Sequence, residues 1–310
     1  MSNIYKEILK ALEKDDVNRR TYLSSGKEEL YQENKKIYEN SSDANGKYIE
    51  ETIKPEPELV LFGAGHVAHA LYKIAQIMEM KVSVIDERDE VCNRERFPNA
   101  NLIVGKYDEI LSHELGFFRP YYVIFTHGHK YDNKCLRYCL NHNYSYIGMI
   151  GSKGKVDATF KDLINDGYSK AQLDNVHSPI GLKIGAVTPE EIAISIMAEI
   201  ISVFREKKGI ITLQPDYLRS ISNKSGICVR IIEKKGSAPR AVGSEMFVTQ
   251  KELYGTIGGG AVEHQAIDEA REMLKSNEKI KIKEYNLSAK GDLGMICGGD
   301  VTLLYQRIDS

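Results

Sequence analysis

The sequence predicts an α/β protein: a Rossmann-like parallel-sheet domain joined to a smaller α+β domain. Three observations carry this. A glycine loop, GAGHVA at 63–68, lies between an apolar strand and a helix. Strand and helix signals alternate from about residue 58 to residue 204, the pattern of a parallel sheet covered by helices. After residue 213 strands follow one another with a single helix among them, which suits an α+β arrangement.

The chain has 310 residues, 42% hydrophobic and 28% charged, which is ordinary globular composition and enough length for two cores. Ile4, Ile8, Leu9 and Leu12 recur at helical spacing, so a short amphipathic helix opens the chain. From Asn18 to Lys54 the sequence is polar. SSDANGK (41–47) reads as a loop and KPEPE (54–58) as a linker, because proline disfavours helix in the residue before it. Strands are expected at 58–62 and 81–85, a helix at 65–79, and further apolar runs at 101–104 and 121–126. In 187–204 Thr188 is the N-cap, Pro189 takes the first helical position and Glu191 completes a capping box. Strands then follow at 227–233, 245–249, 253–257, 280–287 and 301–306, with a helix at 261–275. The expected division is 1–55 as N-terminal helix and linker, 56–212 as the Rossmann-like domain and 213–310 as the α+β domain.

Several function classes are excluded by composition. A net charge of -2 and the absence of any Lys/Arg block argue against nucleic acid or an anionic membrane as partner. The N-terminus, MSNIYKEILKALEKDD, lacks the apolar core of a secretory signal, so a cytoplasmic protein is expected. The most apolar helix, IAISIMAEIISVF, carries Glu199 and falls short of the roughly 20 residues of a membrane span. Five cysteines without paired CxxC motifs imply reduced thiols.

The glycine loop is the first candidate site. Gly63 permits the tight turn, Gly65 lets backbone approach a phosphate, and Ala68 is the small residue where helix meets strand. The following helix N-terminus offers unpaired N–H groups to an anion. Asp86, ending the next strand, stands where a carboxylate accepts hydrogen bonds from a ribose, which for a nicotinamide ligand favours NAD over NADP. His66 either faces the ligand or caps the helix. VIFTHGHKYD (123–132) places Thr126, His127 and His129 beyond a strand, on the ligand side of an open α/β sheet. An HxH followed by Asp132 also resembles metallo-β-lactamase zinc sites, with the aspartate one position late and no later histidine. YIGMIGSKGK (146–155) adds Gly151, Ser152 and Lys153 as possible phosphate or substrate contacts. In the second domain Arg240 lies in a glycine-containing loop, and GTIGGGAVE (255–263) sets Gly258, Gly259 and Gly260 before a helix that includes Glu263. Cys297, ahead of two glycines, is the best placed thiol for a thiophilic metal, whereas Cys135 and Cys139 look structural. No GxSxG elbow is present.

Assembled, these pieces resemble the XdhC/CoxI family, accessory proteins of xanthine dehydrogenase and related molybdenum hydroxylases. The matching runs are LVLFGAGHVA, VIDERDE, THGHKYD, YIGMIGSKGK, PIGLKIGAVTPEEIAISIMAEII, GSAPR, GTIGGGAVE and MICGG. The resemblance implies a chaperone that binds molybdenum cofactor, a phosphate-bearing molybdopterin with or without a nucleotide, protects it during sulfuration and inserts it into the apo-hydroxylase. It makes Cys297 a molybdenum contact and implies the apo-hydroxylase as partner, with a cysteine desulfurase and a second copy of the chain as further expected partners. Family members commonly carry the GSAPR/GGG domain first. Here the order is reversed, and a permuted arrangement would have residues 1–55 complete the C-terminal domain. The alternative from another class is an NAD-dependent oxidoreductase with His127 or His129 as general acid/base; a third is a metal-dependent hydrolase using His127, His129 and Asp132.

Overall fold

The computed structural model describes residues 3–41, 46–206, 210–236, 240–286 and 299–309. The chain divides into two compact units, one formed by Met1–Glu56 together with Lys207–Ser310, the other by Pro57–Glu206.

The central unit is a five-stranded parallel sheet. Its strands are Asn101–Val104, Lys81–Asp86, Glu58–Phe62, Tyr121–Ile124 and Tyr146–Met149, in that spatial order. The chain order is thus 3-2-1-4-5, and the direction of winding reverses between Glu58–Phe62 and Tyr121–Ile124, which is where open α/β sheets bind ligands. The short apolar strands Glu58–Phe62, Tyr121–Ile124 and Tyr146–Met149 are buried on both faces, as central parallel strands are. Val60, Phe62, Ile124 and Ile147 pack with Leu136 and Cys139 of the helix Asp132–Leu140 and with Val156 and Leu163 of the helix Lys153–Asn165. The helix His66–Ile77 packs against the helix Pro189–Phe204. In the latter both halves of the capping box form, with Thr188 accepting from the Glu191 N–H and Glu191 accepting from the Thr188 N–H.

The other unit contains two five-stranded sheets. One runs Ile210–Leu213, Tyr48–Pro55, Val17–Tyr22, Glu28–Gln32, Lys35–Glu39; the other runs Leu253–Gly255, Glu245–Val248, Gly226–Lys235, Asp300–Ile308, Ile280–Asn286. Helices Ile4–Leu12, Pro215–Ile221 and Gly260–Lys275 accompany them.

This corrects the assignment of residues 18–54 as loop and linker. Four strands lie there, hidden in the sequence because polar residues interrupt their apolar inward positions: Arg19, Thr21, Glu28 and Glu51 are buried beside Val17, Leu30 and Ile53. The strand Ile210–Leu213, expected within the Rossmann-like domain, pairs in parallel with Tyr48–Pro55 instead.

The buried polar groups form one network. Glu51 Oε2 accepts from Arg19 Nε and Nη2 at 3.2 and 3.1 Å and from Arg230 Nη1 at 2.6 Å. Arg230 Nη2 reaches Thr21 and Gln306, and Arg19 Nη2 reaches Glu245. Burial opposes the Glu51 charge, but the two guanidiniums outweigh it and hold the carboxyl below its ordinary range. Residues from the first 51 positions therefore satisfy charges of the last hundred within a single core.

Candidate functional site

The first loop of the site leaves Glu58–Phe62. The Gly63 N–H donates to the Ile85 carbonyl at 2.8 Å, and Gly63 holds φ +120°. A Cβ there would sit 2.4 Å from the Phe125 carbonyl oxygen, so glycine is required where this loop meets the one leaving Tyr121–Ile124. Gly65 is different. It is extended, a Cβ on it would meet nothing within 4 Å, and it stands at the N-cap of His66–Ile77 without any side-chain cap. The helix has no acidic residue in its first turn, so its leading N–H groups are left for an external acceptor at the switch point. His66 is exposed on that first turn.

Asp86 does not present an open carboxylate to a ribose. Only 1% exposed, it accepts from the Ala64 N–H at 2.7 Å, from the Arg88 N–H at 3.0 Å, and from Arg88 Nε and Nη2 at 2.9 and 2.8 Å. Burial works against its charge, but these bonds prevail and lower its pKa. Asp86 thus fixes the glycine loop on one side and Arg88 on the other. Arg96 donates to the Gly65 carbonyl at 3.4 Å. Two arginines thus stand beside the phosphate-type loop, Arg88 paired with Asp86 and Arg96 on the Gly65 carbonyl; neither was among the expected site residues, although Arg88 lies within the run VIDERDE.

In the second loop, Asp132 is the organiser. Its Oδ1 accepts from the Thr126 N–H and hydroxyl at 3.0 and 2.7 Å, and its Oδ2 contacts His129 Nδ1 at 2.7 Å. Thr126 is buried and spent on this turn. His129, at φ +61° after Gly128 at +60°, is anchored through Nδ1, which leaves Nε2 for a ligand or a proton; His127 is exposed. Among the described residues no three His, Cys, Asp or Glu side chains converge to hold a metal ion.

The third loop is tied to the second by a hydrogen bond from the Ile150 N–H to the Ile124 carbonyl. Gly151 is half-buried, and Ser152 is the N-cap of Lys153–Asn165 with no capping bond, so a second helix starts uncapped at the same edge of the sheet. The Lys153 side chain lies outside the described part of the structure.

The remaining candidates belong to the other unit. Gly258, Gly259 and Gly260 have φ of +122°, +74° and +72°, as glycines at a tight strand-to-helix turn can. Their loop is not an open anion site. Glu263 Oε2 accepts from the Thr256 hydroxyl at 2.5 Å and from the Ile257 and Gly259 N–H groups at 2.9 and 3.0 Å. Burial would raise the Glu263 pKa, yet these donors lower it, so the protein's own carboxylate fills the place an anion would take. Arg240 is exposed. Cys297 lies outside the described residues. The other four cysteines are buried, and burial first, then the Asp86 charge, pushes the Cys92 thiol up to about 11.

Among the described residues no helix is long and apolar enough to cross a membrane. Residues 59–200 match the family model for the XdhC Rossmann domain, and residues 222–286 match that for the XdhC and CoxI family. A 150-residue stretch is 36% identical to a probable xanthine dehydrogenase subunit of Bacillus subtilis (strain 168), covering 48% of this chain and 43% of that protein. A 91-residue stretch is 34% identical to the molybdenum cofactor insertion chaperone PaoD of Escherichia coli (strain K12), covering 29% of each. The matches thus span less than half the length of these curated relatives. Among solved structures, a xanthine dehydrogenase of Bacillus halodurans aligns with a TM-score of 0.50 and 28% identity over 66% of each chain.

Proposed function

The chain belongs to the XdhC and CoxI family, and from that premise we propose that it is an accessory protein that binds molybdenum cofactor as cargo and passes it to a xanthine dehydrogenase or related molybdenum hydroxylase. The observation that carries this reading is the uncapped start of His66–Ile77 at the switch point with Arg88 and Arg96 beside it. Backbone N–H groups, a helix dipole and guanidinium donors together suit a phosphate monoester such as the cofactor carries.

In this role the residues bind and release. The helix start at Gly65 holds the phosphate, Arg88 is kept in place by Asp86, and His129, oriented by Asp132, offers Nε2 to the cargo. Such a site has no need of a covalent nucleophile. The relatives named for xanthine dehydrogenase and for cofactor insertion support the client class.

A second reading has its own observation. The Asp132–His129 pair, with Nδ1 anchored, is the arrangement of a general acid/base and would serve an NAD-dependent oxidoreductase on the same cleft. Anaerobic ultrafiltration with molybdenum cofactor, run beside an NADH titration, separates the two. Retention of about one equivalent of cofactor supports the carrier; NADH binding without cofactor retention replaces it with the dehydrogenase.

A further inference from the structure

The helix Pro189–Phe204 is apolar on more sides than its own unit covers. Ala193, Ile196, Met197 and Ile200 are buried, and the helix packs against His66–Ile77. Away from that side, Ile194 and Ile201 are 54% and 40% exposed, with Ala198 half-buried between them. The loop that leads into the helix adds Leu182, Ile184 and Val187, the last 81% exposed. Its Leu182 N–H donates to the Ser195 carbonyl at 3.2 Å, which lays the loop along the helix. A monomeric soluble protein rarely leaves apolar side chains gathered in this way without a partner to cover them.

The charges that bracket this face say what covers it. Glu190 lies four residues before Ile194 and Arg205 four residues after Ile201, a spacing that keeps these residues and Ala198 on one face of the helix. Both charged residues are exposed, and neither has an ion-pair partner among the described residues; Glu191 is already held in the capping box. The pattern reads the same in both directions. An antiparallel copy of the helix, related by a two-fold axis between Met197 and Ala198, sets Ile194 against Ile201 and Glu190 against Arg205, twice over. Antiparallel helix dipoles attract, and the small Ala198 at the crossing lets the two helices approach closely. An unrelated partner would not require apolar and charged positions to mirror about the middle of the helix.

We infer that the exposed side of Pro189–Phe204, with the loop 182–187, is the interface with a second copy of this chain. One helix pair buries less than the roughly 800 Å2 per partner of a stable interface, and Leu182, Ile184 and Val187 widen the face. The inference goes beyond the carrier reading and does not depend on the cargo.

Analytical ultracentrifugation of the full chain over a concentration series tests it. Wild type should be a dimer with a Kd of about 1 μM or below. Ile194→Lys and Ile201→Glu should each raise that Kd at least about a hundredfold, since every substitution enters the interface twice. Both put a charge one turn from an opposite charge, Glu190 or Arg205, so the helix is retained. Ile164→Glu, at a 50% exposed position on Lys153–Asn165, should leave the dimer intact. Glu190→Arg should weaken association about tenfold, and the double variant Glu190→Arg with Arg205→Glu should restore it. A wild type that is monomeric at about 100 μM, a dimer that survives both isoleucine substitutions, or a double reversal no tighter than the single one would overturn the assignment. A monomeric wild type whose Ile194→Lys variant loses only delivery to an apo-hydroxylase would also overturn it, giving the face to the client.

Discussion

The Arg88 guanidinium grips both carboxylate oxygens of Asp86, at 2.9 and 2.8 Å, while Asp86 also holds the Ala64 N–H of the glycine loop. A residue at a place commonly used to bind ribose is here a bracket between loop and cation.

Asp86→Asn should therefore act through Arg88. It leaves a guanidinium without its counter-charge and a loop N–H with a weaker acceptor, which should lower unfolding free energy by about 2–4 kcal/mol. Urea denaturation measures this. A loss below about half a kcal/mol would show that the bracket is dispensable.

Gly65→Asp separates folding from binding. The position is extended and open, so aspartate is accommodated and caps the helix, with stability unchanged or raised by about a few tenths of a kcal/mol. The same carboxylate occupies the anion position, and cofactor retention should fall at least about tenfold. Unchanged retention in this variant would place the phosphate elsewhere.

Glu51→Gln tests the buried network. Two guanidiniums, Arg19 and Arg230, share this carboxylate in the core, and removing its charge should cost about 3–5 kcal/mol. Thermal unfolding of wild type and variant gives the difference. A loss of less than about 1 kcal/mol would mean that Glu245 alone suffices as counter-charge.

Glu29 gives the first sheet an acid limit. Burial opposes its charge, but hydrogen bonds from Tyr31, Lys27 and Lys36 lower its pKa from 4.5 to about 2. A depressed carboxyl stabilises the fold above its ordinary value, and that contribution is lost as pH falls. Between wild type and Glu29→Gln the stability gap should be about 1–2 kcal/mol near neutrality and shrink as pH drops from 4.5 towards 2. A gap independent of pH over that range would assign the effect to shape instead of charge.

The parallel sheet was legible because its strands are apolar runs, and because the glycine loop and the Thr188–Glu191 capping box are local signals. The first sheet was not, since Arg19, Thr21, Glu28 and Glu51 are among its buried positions and the partners Arg230 and Glu245 lie roughly two hundred residues away. Among site residues, Gly63, Gly65 and His129 stand where the pattern put them, at the ends of sheet strands. Arg88 was not among the expected site residues because nothing within the run VIDERDE shows that the fold aims its guanidinium at Asp86. Glu263 shows the opposite limit: chemistry alone cannot tell a carboxylate that awaits a ligand from one that already caps its own loop.

The strand Ile210–Leu213 returns to lie in register beside Tyr48–Pro55, the strand from which the chain departed for the 57–206 unit. A parallel pair always needs a crossover, usually one helix long; this one is an entire domain. Because the entropy of closing a loop grows only slowly with its length, a crossover of this size is thermodynamically tolerable, and it shortens to a compact bridge once the inserted domain has folded. The inserted unit is thus one uninterrupted stretch that could be transplanted by two cuts, whereas its host, recovered as a single chain, needs a substitute crossover between residues 56 and 207.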